Sequence, residues 1–110
     1  MDKNAILIIS SAPDTATSEK IANRLIEQDL AACVNIVPGM RSIYKWQGKL
    51  ESGSEQLLLI KAPQTMYAAI EKQIAAMHPY ELPEIIAVSI EAGLPAYLDW
   101  VGERMPNKSQ

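Results

Sequence analysis

A chain of 110 residues with a formal net charge of −3 amounts to one domain, and its charge balance excludes the clustered Lys and Arg of a nucleic-acid surface. Hydrophobic residues make up 48% of it and charged residues 21%, the balance of a packed globule and not of a disordered chain. No run nears the roughly 20 apolar residues of a helical membrane span, so no membrane partner is expected. The apolar run at residues 5–9, after Met1-Asp2-Lys3-Asn4, lacks the length and the cleavage site of a signal peptide. The single cysteine, Cys33, sits in Ala31-Ala32-Cys33-Val34 and reads as a packed thiol with no internal disulfide partner; the expected compartment is the cytoplasm.

Ala5-Ile6-Leu7-Ile8-Ile9 is nearly all apolar, the pattern of a strand covered on both faces. Ser10-Ser11-Ala12-Pro13-Asp14 breaks it, and Asp14 or Thr15 is placed to accept the free N–H groups of a helix start. Ile21, Ala22, Leu25, Ile26 and Leu30 then recur at helical spacing, with Lys20, Arg24, Glu27 and Gln28 on the other side. From Ala31 the period changes towards two, with Ala32, Val34 and Ile36 alternating with Cys33, Asn35 and Val37. Pro38-Gly39 interrupts this second strand, which marks an edge, a bulge or a bend, because proline cannot donate to the ladder.

Beyond the break, Ser42, Tyr44 and Trp46 share one face, Gln47-Gly48 supplies a turn, and residues 55–61 form a third strand around Leu57-Leu58-Leu59-Ile60. Ala62-Pro63 suits a helix start, and Met66, Ile70, Ile74 and Met77 make one stripe of the helix that Pro79 and Pro83 end. Residues 84–90 are the fourth strand. Pro95 opens a last helix carrying Tyr97, Leu98 and Val101, and the tail at residues 106–110 is expected to fray.

The expected architecture is therefore α+β: a single domain over residues 1–110, a ferredoxin-like β-α-β-β-α-β sandwich with an added C-terminal helix. Right-handed crossovers put both long helices on one face of the sheet. The other face alternates apolar residues and needs a cover, supplied by the last helix or by another subunit. Four Tyr, two Trp and no Phe fit the same picture, since Tyr and Trp favour half-buried interfaces and pocket walls.

No catalytic constellation is visible. The only histidine is His78, no Ser or Cys forms a nucleophile arrangement with it, and the five glycines hold no phosphate-binding loop. Glu81 and Glu84 flank Pro83 in what reads as a solvent-facing loop. The segment Met77-His78-Pro79-Tyr80-Glu81-Leu82-Pro83-Glu84-Ile85 admits two readings: a rigid turn in which His78 compensates the negative end of its helix, or a cleft where imidazole, carboxylate and phenol converge.

Ala31-Ala32-Cys33-Val34-Asn35-Ile36-Val37-Pro38-Gly39, Ser42-Ile43-Tyr44-Lys45-Trp46-Gln47-Gly48-Lys49 and His78-Pro79-Tyr80-Glu81-Leu82-Pro83-Glu84-Ile85 resemble the CutA divalent-cation-tolerance family, and Ala12-Pro13-Asp14 and Tyr97-Leu98-x-Trp100 agree. The resemblance implies a cytoplasmic homotrimer, architecturally similar to the PII signalling proteins, involved in tolerance to copper and other divalent metals without enzymatic activity. Where the family's copper ligation has been assigned, the corresponding positions are Ser10 and the pair Met77-His78. These three form the candidate site for copper or another divalent cation, and no cofactor is required. A thioether and an imidazole suit copper, whereas a serine hydroxyl is a poor substitute for a thiolate. Two other readings stay open: a PII-like sensor of a small anionic metabolite between subunits, and a structural trimer acting through a protein partner.

Overall fold

The computed structural model describes residues 4–103, in the order β1 (Ala5–Ala12), α1 (Thr15–Glu27), β2 (Cys33–Trp46), β3 (Lys49–Pro63), a 3-10 turn (Gln64–Met66), α2 (Tyr67–Met77), β4 (Ile85–Ser89) and α3 (Pro95–Gly102). The tail expected to fray lies outside the described residues. The sheet runs β2-β3-β1-β4 with every neighbouring pair antiparallel, the ferredoxin-like arrangement with the added C-terminal helix.

Alternation sorts the strands into two faces. Ile6, Ile8 and Ala12 of β1 and Leu58, Ile60 and Ala62 of β3 turn towards α1 and α2, where they meet Ile21, Leu25, Ile70 and Ile74 in one buried cluster. Each of these large aliphatic side chains contributes roughly 1.5–3 kcal/mol by leaving water. Asp14 caps α1, its Oδ1 accepting the Thr17 N–H at 2.8 Å, and Ser18 Oγ closes the same turn by donating to the Asp14 carbonyl at 2.9 Å. Ile26, expected in the buried stripe, is exposed; the buried face of α1 is Ser18, Ile21, Ala22 and Leu25.

Boundaries of β1 and β3 differ from the sequence expectation. β1 runs on through Ser10, Ser11 and Ala12, the residues expected to break it, because they stay paired with Leu58, Leu57 and Gln56 of β3. Pro63 is the last residue of β3, not the first of a helix: its backbone is extended, and the 3-10 turn intervenes before α2 begins at Tyr67. β3 also begins at Lys49, not near residue 55, so β2 and β3 pair along most of their length as one long arm. Gln47 and Gly48 close that arm with φ of 52° and 81°, the left-handed pair that a tight two-residue hairpin turn requires.

The break at Pro38-Gly39 is both an edge and a bulge. β2 is an outer strand, and its pairing jumps from Val37↔Leu57 to Met40↔Glu55, so three steps on β2 oppose two on β3. The extra residue reverses the phase of β2. Val37 lies on the face away from α1 and α2, and without the bulge Met40, Ser42, Tyr44 and Trp46 would point to the helix side. With it they join Glu55 on the opposite face.

That opposite face carries Leu7, Ile9 and Ser11 of β1, Leu57 and Leu59 of β3, and Ile86 and Val88 of β4. α3 packs chiefly against β3 and β1, and its fully buried Val101 belongs to no part of the cluster beneath α1 and α2, which puts this helix over the open face. The cover is partial. Ile86 and Val88 remain half exposed, and among the described residues no strand pairs with the outer edge of β4.

Candidate functional site

α2 ends where the His78 N–H reaches the Ile74 carbonyl at 2.9 Å; Pro79 and Pro83 then hold residues 78–84 in a bent connection back to β4. The His78 ring is buried, 9% exposed, and both its nitrogens are occupied. The Tyr80 N–H donates to Nδ1 at 3.1 Å, so Nδ1 is the acceptor and the proton sits on Nε2, which donates to the Ser11 carbonyl at 2.7 Å. The ring thus ties the end of α2 to β1 and orients the backbone of Tyr80, and it does not compensate the last carbonyls of α2.

Tyr80 stacks at a tilt on His78, with centroids 4.6 Å apart, and its phenol donates to Glu55 Oε2 at 2.7 Å. Burial, followed by the hydrogen bond and the negative charge of Glu55, pushes the Tyr80 phenol up to about 12. A cleft of about 700 Å³ lies between the arm and this connection. The arm supplies Ser42, Tyr44, Trp46 and Glu55; the connection supplies Tyr80, Glu81, Leu82 and Glu84. Phenol, imidazole and carboxylate do converge, with the imidazole behind the wall and the phenol in it.

The three candidate metal residues fare differently. Ser10 is fully buried on the helix side of β1, and its Oγ donates to the Glu84 carbonyl at 2.8 Å. Met77, the last residue of α2, packs against the apolar cluster. His78 has no free lone pair. A copper ion at His78 would have to displace the Tyr80 N–H from Nδ1 or take Nε2 from the Ser11 carbonyl, and Met77 would have to leave its packing to join it, so the donor set as arranged does not fit the metal. Among the described residues, no three of His, Cys, Asp and Glu come together to hold an ion.

Cys33 is not the packed core thiol that its apolar neighbours suggest. It is half-buried on the open face, opposite Lys61, and its Sγ makes a 3.9 Å contact with Asn35 Oδ1, to which Lys61 Nζ also donates. Sequence reasoning placed Ser42, Tyr44 and Trp46 on one face and singled out Tyr80, Glu81 and Glu84, but missed Ser11 and Glu55 as their companions. The signal was present at Pro38-Gly39, whose bulge decides which side chains of β2 share a face with Glu55.

This framework defines the class: a ferredoxin-like α+β domain with an extended hairpin arm, a third helix over the open face and a cleft beneath the arm. The chain matches the family model described as CutA1 divalent ion tolerance protein over residues 6–104, and it belongs to that family. It is 42% identical over 97 residues to the divalent-cation tolerance protein CutA of Thermus thermophilus, an alignment covering 88% of this chain and 94% of that protein. It is 44% identical over 96 residues to the CutA homolog of Xenopus laevis, covering 87% of this chain but 64% of that protein. Against the chloroplastic CutA of Arabidopsis thaliana the share of the relative covered is 53%, so the chain spans about half to two-thirds of these eukaryotic relatives. The solved structure of the Thermus thermophilus protein superimposes with a TM-score of 0.89 at 41% identity, covering 91% of this chain and 97% of that one. CutA1 of Shewanella sp. SIB1 gives 0.90 at 40% identity, covering 94% and 96%.

Proposed function

We propose that this protein serves divalent-cation tolerance as a homotrimeric, non-catalytic signalling protein that responds to a ligand, and not as a copper store. The observation that carries this reading is the contrast at the end of α2. Every polar atom available to a copper ion at Ser10 and His78 is spent on the fold, while a cleft large enough for a small organic molecule opens beside them. The ligand-responsive part is the segment at residues 78–84, since its position depends on contacts to both β1 and β3.

Assembly into a trimer is supported by the outer edges of β2 and β4, which pair with no other strand among the described residues, and by apolar side chains left half exposed on β4. A copy of the chain is the natural cover for such a surface, because strand edges and apolar faces satisfy one another without new chemistry. Light scattering joined to calorimetry tests the reading. A mass of about three chains, with Cu²⁺ binding no tighter in the wild type than in His78→Ala, is the expected result. A monomer mass at micromolar concentration, or a tight one-to-one copper site that vanishes in His78→Ala, overturns it.

A further inference from the structure

We propose that the cleft beneath the arm takes a small organic cation bearing N–H groups, a primary ammonium or a guanidinium; this rests on the ligand-responsive reading above and names the chemistry of its ligand. Two independent features of the lining lead there. The first is aromatic: Tyr44, Trp46 and Tyr80 line one cavity and remain 50%, 41% and 37% exposed. Ring faces attract cations through their quadrupoles, and they also supply flat apolar surface for the ligand's body.

The second is charge. Glu55, Glu81 and Glu84 line the same cavity, and no Lys or Arg does. Lys45, between Tyr44 and Trp46 in β2, and Lys49, opposite Trp46 at the tip of the arm, do not line the cleft. An anion entering would meet three carboxylates without a counter-charge, which disfavours the anionic metabolite that a PII-like comparison suggests. A cation meets attraction from the three rings and from Glu55, Glu81 and Glu84. One oxygen of Glu55 is occupied by the Tyr80 phenol, which fixes that carboxylate and leaves its second oxygen to accept.

The same geometry decides between a metal ion and an organic cation. Among the described residues the carboxylates do not converge into a group of three around one point, so a bare ion finds no chelate. A cavity of about 700 Å³ with acids spread along it suits a body several atoms long, with N–H groups donating to carboxylates and an apolar part on the rings. Free amines and the Lys or Arg side chains of a polypeptide share this chemistry.

The test uses the full chain carrying Trp100→Phe, so that Trp46 alone reports by fluorescence. The probes are phenethylamine, its anionic counterpart phenylacetate, agmatine and N-acetylarginine amide. Saturable responses to phenethylamine and agmatine are expected, weakening at least tenfold in Glu81→Gln/Glu84→Gln and in Tyr44→Leu and falling with added salt, with none to phenylacetate. Agmatine binding tighter than the arginine amide assigns the cation to a free amine, and the reverse order to a polypeptide side chain. Phenylacetate binding as tightly as phenethylamine overturns the cation assignment and leaves the ligand-responsive reading standing. No response to any of the four overturns the assignment too, and a tight copper site lost in His78→Ala overturns the reading beneath it.

Discussion

Tyr80 and Glu55 meet at 2.7 Å across the gap between the α2–β4 connection and β3, the phenol donating to Oε2. The contact joins two segments that share no backbone pairing, and it holds one wall of the cleft against the other. Burial first, and then this hydrogen bond and the charge of Glu55, push the phenol up to about 12.

That shift has a measurable sign. A phenol whose folded value lies above its unfolded value of 10.0 stabilises the fold fully below that pH, and the contribution is lost as pH rises from there through about 12. Ultraviolet titration of the four tyrosines should therefore show one phenolate appearing last, and stability should decline across the same window. Glu55→Gln should bring that late phenolate down towards the others. A titration unchanged by Glu55→Gln would remove Glu55 as the partner.

His78 and Ser10 supply a second expectation. Ser10→Ala removes the part-buried hydrogen bond from β1 to the Glu84 carbonyl, which costs about 0.5–1.5 kcal/mol. Chemical denaturation should show that loss, while Cu²⁺ affinity should stay within about twofold of the wild type in both Ser10→Ala and His78→Ala. Long-range nitrogen–proton NMR should find the His78 proton on Nε2 and unmoved by Zn²⁺ at one equivalent. A proton on Nδ1, or a shift on adding zinc, would return His78 to the list of ligands.

Much of this molecule is legible from its residues. The order of strands and helices, the cap at Asp14, the turn at Gln47-Gly48 and the alternating open face all follow from local periodicity and turn chemistry, which act over a few residues. His78 shows where such reading stops. Its burial and tautomer are set by the Ser11 carbonyl, 67 residues away, and no local pattern around His78 announces that partner. The start of α2 was misplaced because Pro63 suits a first helical position and an outgoing strand end equally well. Glu55 was missed for a third reason: a bulge is visible as Pro-Gly, but its effect on phase appears only when the partner strand is counted against it.

The bulge yields its own test. Gly39 has φ of +81°, and nothing lies within 4 Å of where a Cβ would stand, so a side chain there meets backbone strain without a clash. Gly39→Ala should cost about 1–2 kcal/mol, the usual penalty for a left-handed residue that is not glycine, and Gly39→Asn should cost less. Deleting Gly39 should be far worse, because it returns Tyr44 and Trp46 to the helix side and dismantles the cleft. Equal stability of the deletion and the wild type would refute the phase argument.

The proposed trimer carries the last expectation, and β4 is where it is best tested. This strand has only five residues, no strand among the described residues pairs with its outer edge, and Ile86 and Val88 are 51% and 49% exposed in the single chain. Covering apolar surface stabilises by about 25 cal/mol per Å², so contacts along β4 would add substantially to a small domain. Folding and assembly are then one equilibrium, and mass action makes the unfolding midpoint rise with protein concentration wherever the transition is reversible. Val88→Lys should break this coupling with little effect on the fold itself, because the new charge stands on the open face and not in the cluster under α1 and α2. The variant should sediment as a smaller species, melt at a lower temperature and lose the concentration dependence. A wild-type midpoint that is reversible and constant over a hundredfold range of concentration would separate folding from assembly and end the argument from β4.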